Sequence, residues 1–247
     1  MRLYGLIGYP LGHSFSKKYF TEKFDREGID DARFELFPLP DLSGLPALLR
    51  ANPALRGLGV TIPHKESVVA MLDEVDDTAR AIGAVNSIRV ERGKLTGYNT
   101  DAEGFGQSLK NLDGGKWTTA SRRAVILGTG GASKAVAYAL RQCAIPYQFV
   151  SRNPAGQGHI SYEQFRRLAP ELFDIIINTT PLGTHPEVEQ CPDVPFERLS
   201  SEHLVYDLVY NPSETLLLQR ARARGCAVKN GLEMLQLQAE ASWKRWN

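Results

Sequence analysis

The sequence predicts an α/β fold built on parallel sheets, and two observations carry that prediction. Short apolar runs of strand length alternate with longer runs of helical period along the chain. A glycine-rich turn, Gly128-Thr129-Gly130-Gly131, stands directly between one such strand and one such helix. In chain order, residues 3–9 read as a buried strand ended by Pro10, and 16–27 as a helix with Tyr19, Phe20 and Phe24 on one face. Residues 33–39 read as a second strand, 42–51 as a helix with Leu42, Leu45, Leu48 and Leu49 at helical spacing, and 55–62 as a third strand. The runs 85–90 and 94–98, separated by Glu91-Arg92-Gly93, read as a hairpin that places an antiparallel strand at the sheet's edge.

Asp113-Gly114-Gly115 and the polar run Thr118-Thr119-Ala120-Ser121 make 111–122 the best linker candidate, so a domain boundary is expected near it. Beyond it, 123–127, 146–150, 174–178 and 204–209 read as strands, and 132–142, 213–224 and 232–246 as helices. The last helix carries Leu232, Leu235 and Ala239 at core spacing and is expected to return to the first half. That makes the first domain discontinuous: 1–101 joined by 231–247, around a second domain over 102–230.

Composition narrows the function. With 29 Lys+Arg against 28 Asp+Glu the net charge is 29 − 28 = +1, so neither nucleic acid nor an anionic membrane is an expected partner. Cys143, Cys191 and Cys226 are odd in number and lack C-x-x-C spacing, which predicts a reducing cytoplasm without disulfides or a zinc cluster. No run of about 20 apolar residues occurs, so neither a signal peptide nor a membrane span is expected. The histidines show no metal-ligand spacing; no metal is expected, and His13 and His64 read either as structural or as supports for the site residues they flank.

The glycine turn is the first candidate site. Glycines let the backbone approach a pyrophosphate, whose charge meets unpaired N–H groups at a helix N-terminus. In Gly128-Thr129-Gly130-Gly131-Ala132-Ser133 the third glycine of the dinucleotide pattern is replaced by Ser133, but the strand–turn–helix setting is the one the chemistry requires. A Rossmann-like, doubly wound dinucleotide-binding domain is therefore expected. The next strand ends in Ser151-Arg152-Asn153, where an acidic residue would favour NAD; Arg152 instead can pair with a 2′-phosphate and points to NADP.

Three segments of the first half carry polar residues at element ends: Gly12 to Lys17, Val60 to Lys65, and Ala84-Val85-Asn86-Ser87 with Tyr98-Asn99-Thr100-Asp101. Ser14 and Ser16 sit where a strand gives way to a helix, suited either to a carboxylate ligand or to simple capping. Thr61 and Lys65 follow a strand's carboxyl end, where open α/β sheets place ligands.

These stretches, with Gly83-Ala84-Val85-Asn86-Ser87, Asn178-Thr179-Thr180-Pro181-Leu182-Gly183, Asp207-Leu208-Val209-Tyr210-Asn211-Pro212 and the run from Gly231 to Gln238, resemble the shikimate dehydrogenases over almost the whole chain. The resemblance implies reversible NADPH-dependent reduction of 3-dehydroshikimate to shikimate, in the pathway to chorismate and the aromatic amino acids. It places substrate groups on Ser14, Ser16, Thr61, Lys65, Asn86, Asp101, Tyr210 and Gln238, with Lys65 and Asp101 catalytic. It places cofactor groups on Gly128, Thr129, Gly130, Gly131 and Ala132, on Ser151, Arg152 and Asn153, and on Thr180 and Gly231. The implied partner is a small molecule, and the chain is expected as a monomer or homodimer. Two positions depart from the family's pattern: Ala102 replaces the usual glycine after the aspartate, and Gly59 stands where asparagine often precedes Val60. A quinate or dual quinate/shikimate dehydrogenase and a non-catalytic nucleotide-responsive module are the competing readings. Ser16 and Arg152 count against the first, Lys65 and Asp101 against the second.

Overall fold

The computed structural model describes residues 1–12, 14–168 and 172–247, so His13 lies outside the described residues. The chain divides into two compact units, Met1–Thr100 with Gln238–Asn247, and Asp101–Leu237.

The first unit contains β1 (Arg2–Gly8), α1 (Phe15–Glu27), β2 (Ala32–Pro38), α2 (Leu45–Ala51), β3 (Leu55–Val60), β4 (Glu74–Val75), α3 (Asp77–Ile82), β5 (Ser87–Glu91) and β6 (Lys94–Tyr98). Its sheet has the order β2-β1-β3-β5-β6-β4, with β1 parallel to β2 and β3, and β5 antiparallel to β3 and β6. Arg92 and Gly93 both take left-handed φ, 51° and 83°, as a two-residue hairpin turn between β5 and β6 requires. The hairpin is not the sheet's edge, however. Beside β6 lies β4, a parallel strand of two residues, too short to show a period in the sequence. The expected helix over 42–51 is also divided: a 3-10 turn at Leu42–Gly44 precedes α2, whose Pro46 has no N–H with which to continue one helix through this point.

Alternation along β1 sends Leu3 and Ile7 to one face, against Leu55, Leu58, Val60 and Ile88, and Tyr4 and Leu6 to the other, against Phe20, Phe24 and Phe34. The C-terminal helix adds Ala239 and Trp246 to the second cluster. Trp246 stacks on Tyr4 at 5.5 Å between ring centroids, directly over Gly57, where a Cβ would lie 2.3 Å from the indole Cγ. The strand is thus bare of side chain where the largest aromatic ring must lie flat.

The second unit contains α4 (Thr100–Asn111, entered at its second residue), β7 (Ala124–Leu127), α5 (Gly131–Gln142), β8 (Tyr147–Ser151), β9 (His159–Ser161), α6 (Tyr162–Arg167), β10 (Ile175–Asn178), β11 (Leu204–Asp207), α7 (Leu216–Arg222), β12 (Ala227–Lys229) and the start of α8 (Leu232–Trp246). Its sheet is parallel throughout, in the order β12-β11-β10-β7-β8-β9, the doubly wound arrangement with the order reversing between β7 and β10. Ala124, Ile126, Ile175 and Ile177 face one core and Val125, Leu127 and Ile176 the other, which explains the unbroken apolar runs of β7 and β10.

Residues 111–122 are not a loose linker. Trp117, only 1% exposed, belongs to the first of these cores, and Arg122 lies over its ring and pairs with Asp174 at 2.8 Å. Burial of one indole outweighs the polar, turn-rich local sequence. No helix among the described residues is long and apolar enough to cross a membrane.

Trp246→Ala is expected to lower the first unit's stability by about 3–5 kcal/mol, the usual range for removing a buried large aromatic ring. Urea denaturation checks this, and a loss below about 1 kcal/mol would show that α8 is not anchored by the indole.

Candidate functional site

In the first unit the loops after β1 and β3 are tied together: Tyr9 N–H donates to Ile62 O at 3.0 Å and Thr61 N–H to Ile7 O at 2.9 Å. A Cβ on Gly8 would meet Thr61 Cγ2 at 2.4 Å, so glycine is what lets Thr61 sit against β1. Ser14 is the N-cap of α1, its hydroxyl accepting from Ser16 N–H at 3.3 Å, and Ser16 follows on the first turn. The capping role named as an alternative for Ser14 is therefore present.

Past β3 the chain turns at His64, whose N–H donates to Thr61 O at 3.0 Å. The His64 ring is buried and its Nε2 lies 2.6 Å from Leu39 O, in keeping with a structural histidine. Lys65, half-buried, follows at once, and its carbonyl accepts from Val85 N–H at 2.7 Å. Both sides of the Lys65 backbone are held, which directs a long, rotamer-rich side chain from a fixed base.

Asn86 and Gln238 are brought together, and two hydroxyls that sequence reasoning did not single out join them. Asn86 Oδ1 accepts from the backbone N–H of Thr100 at 2.6 Å, while its Nδ2 donates to Thr100 Oγ1 at 2.9 Å and to Gln238 Oε1 at 3.3 Å. Thr100 Oγ1 also meets Ser242 Oγ at 2.9 Å. Thr100 is almost completely buried, so it acts on the amide and not on solvent. A lone threonine in a polar segment carries no sequence signal for this; the i, i+4 spacing of Gln238 and Ser242 on one helix was the only available hint.

Gly59, one of the departures, lies in β3, where a Cβ would come within 2.9 Å of Leu6 Cδ1; the other, Ala102, is buried in α4 next to Asp101. Asp101, itself 5% exposed, is the second residue of α4 and belongs to the second unit.

In that unit the glycine turn leaves β7 at Gly128, whose φ of +109° and distance to Thr179, 2.8 Å from a would-be Cβ to Oγ1, both demand glycine. Thr129 and Gly130 are exposed, and Gly130 caps α5 without a side-chain bond, so the first-turn amides from Gly131 and Ala132 onward receive no side-chain acceptor from the cap. Ser133 is wholly buried and donates to Gly130 O at 2.6 Å; a small residue with its hydroxyl satisfied serves where the pattern has a third glycine. An open glycine cradle leading into a three-turn helix fits a diphosphate.

After β8, Ser151 Oγ accepts from Asn153 N–H at 3.2 Å, which folds the loop and leaves Arg152 and Asn153 exposed. Burial raises the Tyr162 phenol, and the Arg152 charge opposes that rise, so the guanidinium lies in the neighbourhood of this ring. A guanidinium without a neighbouring acid in its own loop suits a 2′-phosphate.

The ends of β10 and β11 form a third cluster, in which the sequence reading gave roles to Thr180, Tyr210 and Gly231 but none to Asn178, Asp207 or Thr215. Asn178 Oδ1 accepts from Thr180 N–H and Oγ1 at 3.0 and 2.7 Å, and its Nδ2 donates to Asp207 Oδ1 at 2.9 Å. Asp207 also accepts from Val209 N–H and from Thr215 Oγ1. Tyr210 follows, half-buried, and Gly231 N–H donates to Val209 O at 3.2 Å. A Cβ on Gly231 would fall 2.0 Å from Leu208 O, so no other residue fits. The signal available was an acid closing the otherwise apolar strand Leu204-Val205-Tyr206.

Burial pushes the Asp207 carboxyl up to about 6, against the pull of its three donors. Between about pH 4 and 6 the folded protein therefore holds a proton that the unfolded chain has released, and stability falls as pH rises through this window, by about 3 kcal/mol in all. Asp207→Asn is expected to abolish that component. It is read as the difference between wild-type and variant urea curves at pH 4.5 and 7; parallel pH dependences would show that Asp207 does not titrate there.

Comparison with known proteins follows the same lines. Residues 6–88 match the family model of the shikimate dehydrogenase substrate binding domain. The chain is 38% identical over 264 residues to the shikimate dehydrogenase (NADP(+)) of Caldanaerobacter subterraneus subsp. tengcongensis, covering 99% of this chain and 91% of that one. It is 40% identical over 263 residues to the enzyme of the same name from Moorella thermoacetica, covering 99% and 87%. Among solved structures, shikimate 5-dehydrogenase from Thermus thermophilus, in complex with NADP(H) and shikimate, superposes with a TM-score of 0.86 at 33% identity, covering 100% of this chain and 94% of that one. With full-length similarity at this identity and a matching substrate-domain model, the chain belongs to the shikimate dehydrogenase family.

Proposed function

We propose that this protein catalyses the reversible NADPH-dependent reduction of 3-dehydroshikimate to shikimate, in the cytoplasm. The observation that carries the reading is that a member of this family retains Lys65, Asp101, the linked amides of Asn86 and Gln238, an open glycine cradle after β7 and an arginine-bearing loop after β8. In this reading most of the substrate groups stand in the first unit, and all of the NADP groups in the second.

The roles follow from the chemistry of each group. Ser14 and Ser16 present hydroxyl and helix N-terminal N–H groups to the substrate carboxylate. Thr61, Asn86, Tyr210 and Gln238 can both donate and accept, as substrate hydroxyls require. Gly128, Thr129, Gly130, Gly131 and Ala132 cradle the diphosphate of NADP, Ser151, Arg152 and Asn153 receive its 2′-phosphate, and Thr180 and Gly231 line its far end. NADPH when bound supplies a hydride. Reduction leaves negative charge on the former carbonyl oxygen; the Lys65 ammonium stabilises that charge and then donates a proton to it. Asp101 has the other catalytic role in this reading, as its charged carboxylate.

Assays of NADP+ reduction with shikimate and with quinate, side by side, test the assignment, and turnover of quinate alone would replace it. Lys65→Ala should lower kcat by about 100-fold or more while NADP+ affinity stays nearly unchanged, with Asp101→Asn acting in the same direction. A Lys65 variant retaining more than about a tenth of the rate would remove the lysine from the central role. For cofactor choice, Arg152→Ala should raise the KM for NADP+ by about 30-fold or more and leave that for NAD+ almost unaltered, since a guanidinium–phosphate contact is worth about 2–3 kcal/mol. An unchanged KM for NADP+ would place the 2′-phosphate elsewhere.

A further inference from the structure

Asp207 is a wholly buried carboxylate that the proposed reaction does not use, yet its partners lead to both loops at the carboxyl ends of β10 and β11. Its Oδ1 accepts from Asn178 Nδ2 at 2.9 Å and from Val209 N–H at 3.0 Å, and its Oδ2 accepts from Thr215 Oγ1 at 2.6 Å. A carboxylate offers acceptors alone, so Asn178 must turn its NH2 toward Asp207. Its carbonyl oxygen then faces Thr180, where it takes the N–H at 3.0 Å and the hydroxyl at 2.7 Å. Flipping the amide would set oxygen against carboxylate and NH2 against N–H, two repulsions in a buried place. On the other side, Val209 precedes Tyr210 and receives Gly231 N–H on its carbonyl at 3.2 Å.

We propose that Asp207 is a positioning residue for the cofactor: through the enforced polarity of Asn178 it sets Thr180, and through Val209 it sets Gly231. The inference rests on the NADP reading above. Thr215 touches the same carboxylate, but its hydroxyl is otherwise engaged by Leu218 N–H, capping α7 at the far end of the β11 loop, and it is not bonded to Asn178 or Val209. It therefore supplies the control for a purely structural role.

The test is isothermal titration of NADP+ into wild-type protein and the Asp207→Leu and Thr215→Val variants, with the melting temperature of each recorded. A leucine at 207 keeps the volume but offers no acceptor, so neither the Asn178 NH2 nor the Val209 N–H is held. An asparagine there would not serve, because the Val209 N–H would fix its oxygen where Oδ1 stands and leave Asn178 as it is. Asp207→Leu is expected to weaken NADP+ binding about tenfold or more, while Thr215→Val lowers the melting temperature and leaves binding within about threefold. Binding by Asp207→Leu within about threefold of wild type, or equal weakening in both variants, overturns the proposal. Should Asp207→Leu not purify as folded protein, Asn178→Ala is read by the same titration and against the same limits. Wild-type protein that binds no NADP+ would overturn the cofactor reading itself, and this inference with it; equal binding by wild type and variant removes Asp207 alone.

Discussion

Where the chain leaves a strand or enters a helix it has backbone N–H groups to satisfy, and in this protein the acceptor is repeatedly a side chain two residues back. Ser14 takes the N–H of Ser16, Ser151 that of Asn153, Asn178 that of Thr180, Asp207 that of Val209, and Asn230 that of Leu232. Each is a short polar side chain closing a local turn on itself, which compact Ser, Asn and Asp can do and longer side chains cannot. Eight of the 18 candidate residues lie inside or next to one of these turns. At those places site geometry is held by hydrogen bonds of short sequence range, on a scaffold set by long-range packing.

The Asn86 cluster uses the same device over a longer span, because its amide receives the N–H of a residue 14 positions on. Burying an amide and two hydroxyls is tolerable only when each finds partners, and here Thr100, Gln238 and Ser242 supply them. The consequence is directional. With the backbone N–H of Thr100 on Oδ1, the Asn86 NH2 must face Gln238 Oε1, so one main-chain donor sets the orientation of two side-chain amides. Asp207 does the same for Asn178 with a charge in place of a peptide.

Close backbone approach is the second constraint, met by glycine at points where no Cβ fits. Gly57 lies beneath the Trp246 ring, and Gly231 lies against the Leu208 carbonyl. The first seats the C-terminal helix on the sheet of the first unit; the second starts that helix beside the β11 loop. Neither glycine is in a turn of left-handed φ, so their need is spatial and invisible to local rules.

The sequence by itself determined the alternation of strands and helices, the glycine cradle after β7 and the polar residues at strand ends, because period, turn chemistry and capping are all local. It also carried the family resemblance, motif by motif. The tertiary structure alone decided that β4 and not the hairpin forms the edge, that Trp117 draws the supposed linker into a core, and that Thr100 and Ser242 complete the Asn86 cluster. It alone decided, too, that Asp207 faces Asn178 across neighbouring strands. Each of these depends on which distant residue arrives opposite, and that is set by sheet order and buried area, quantities no short window of sequence contains.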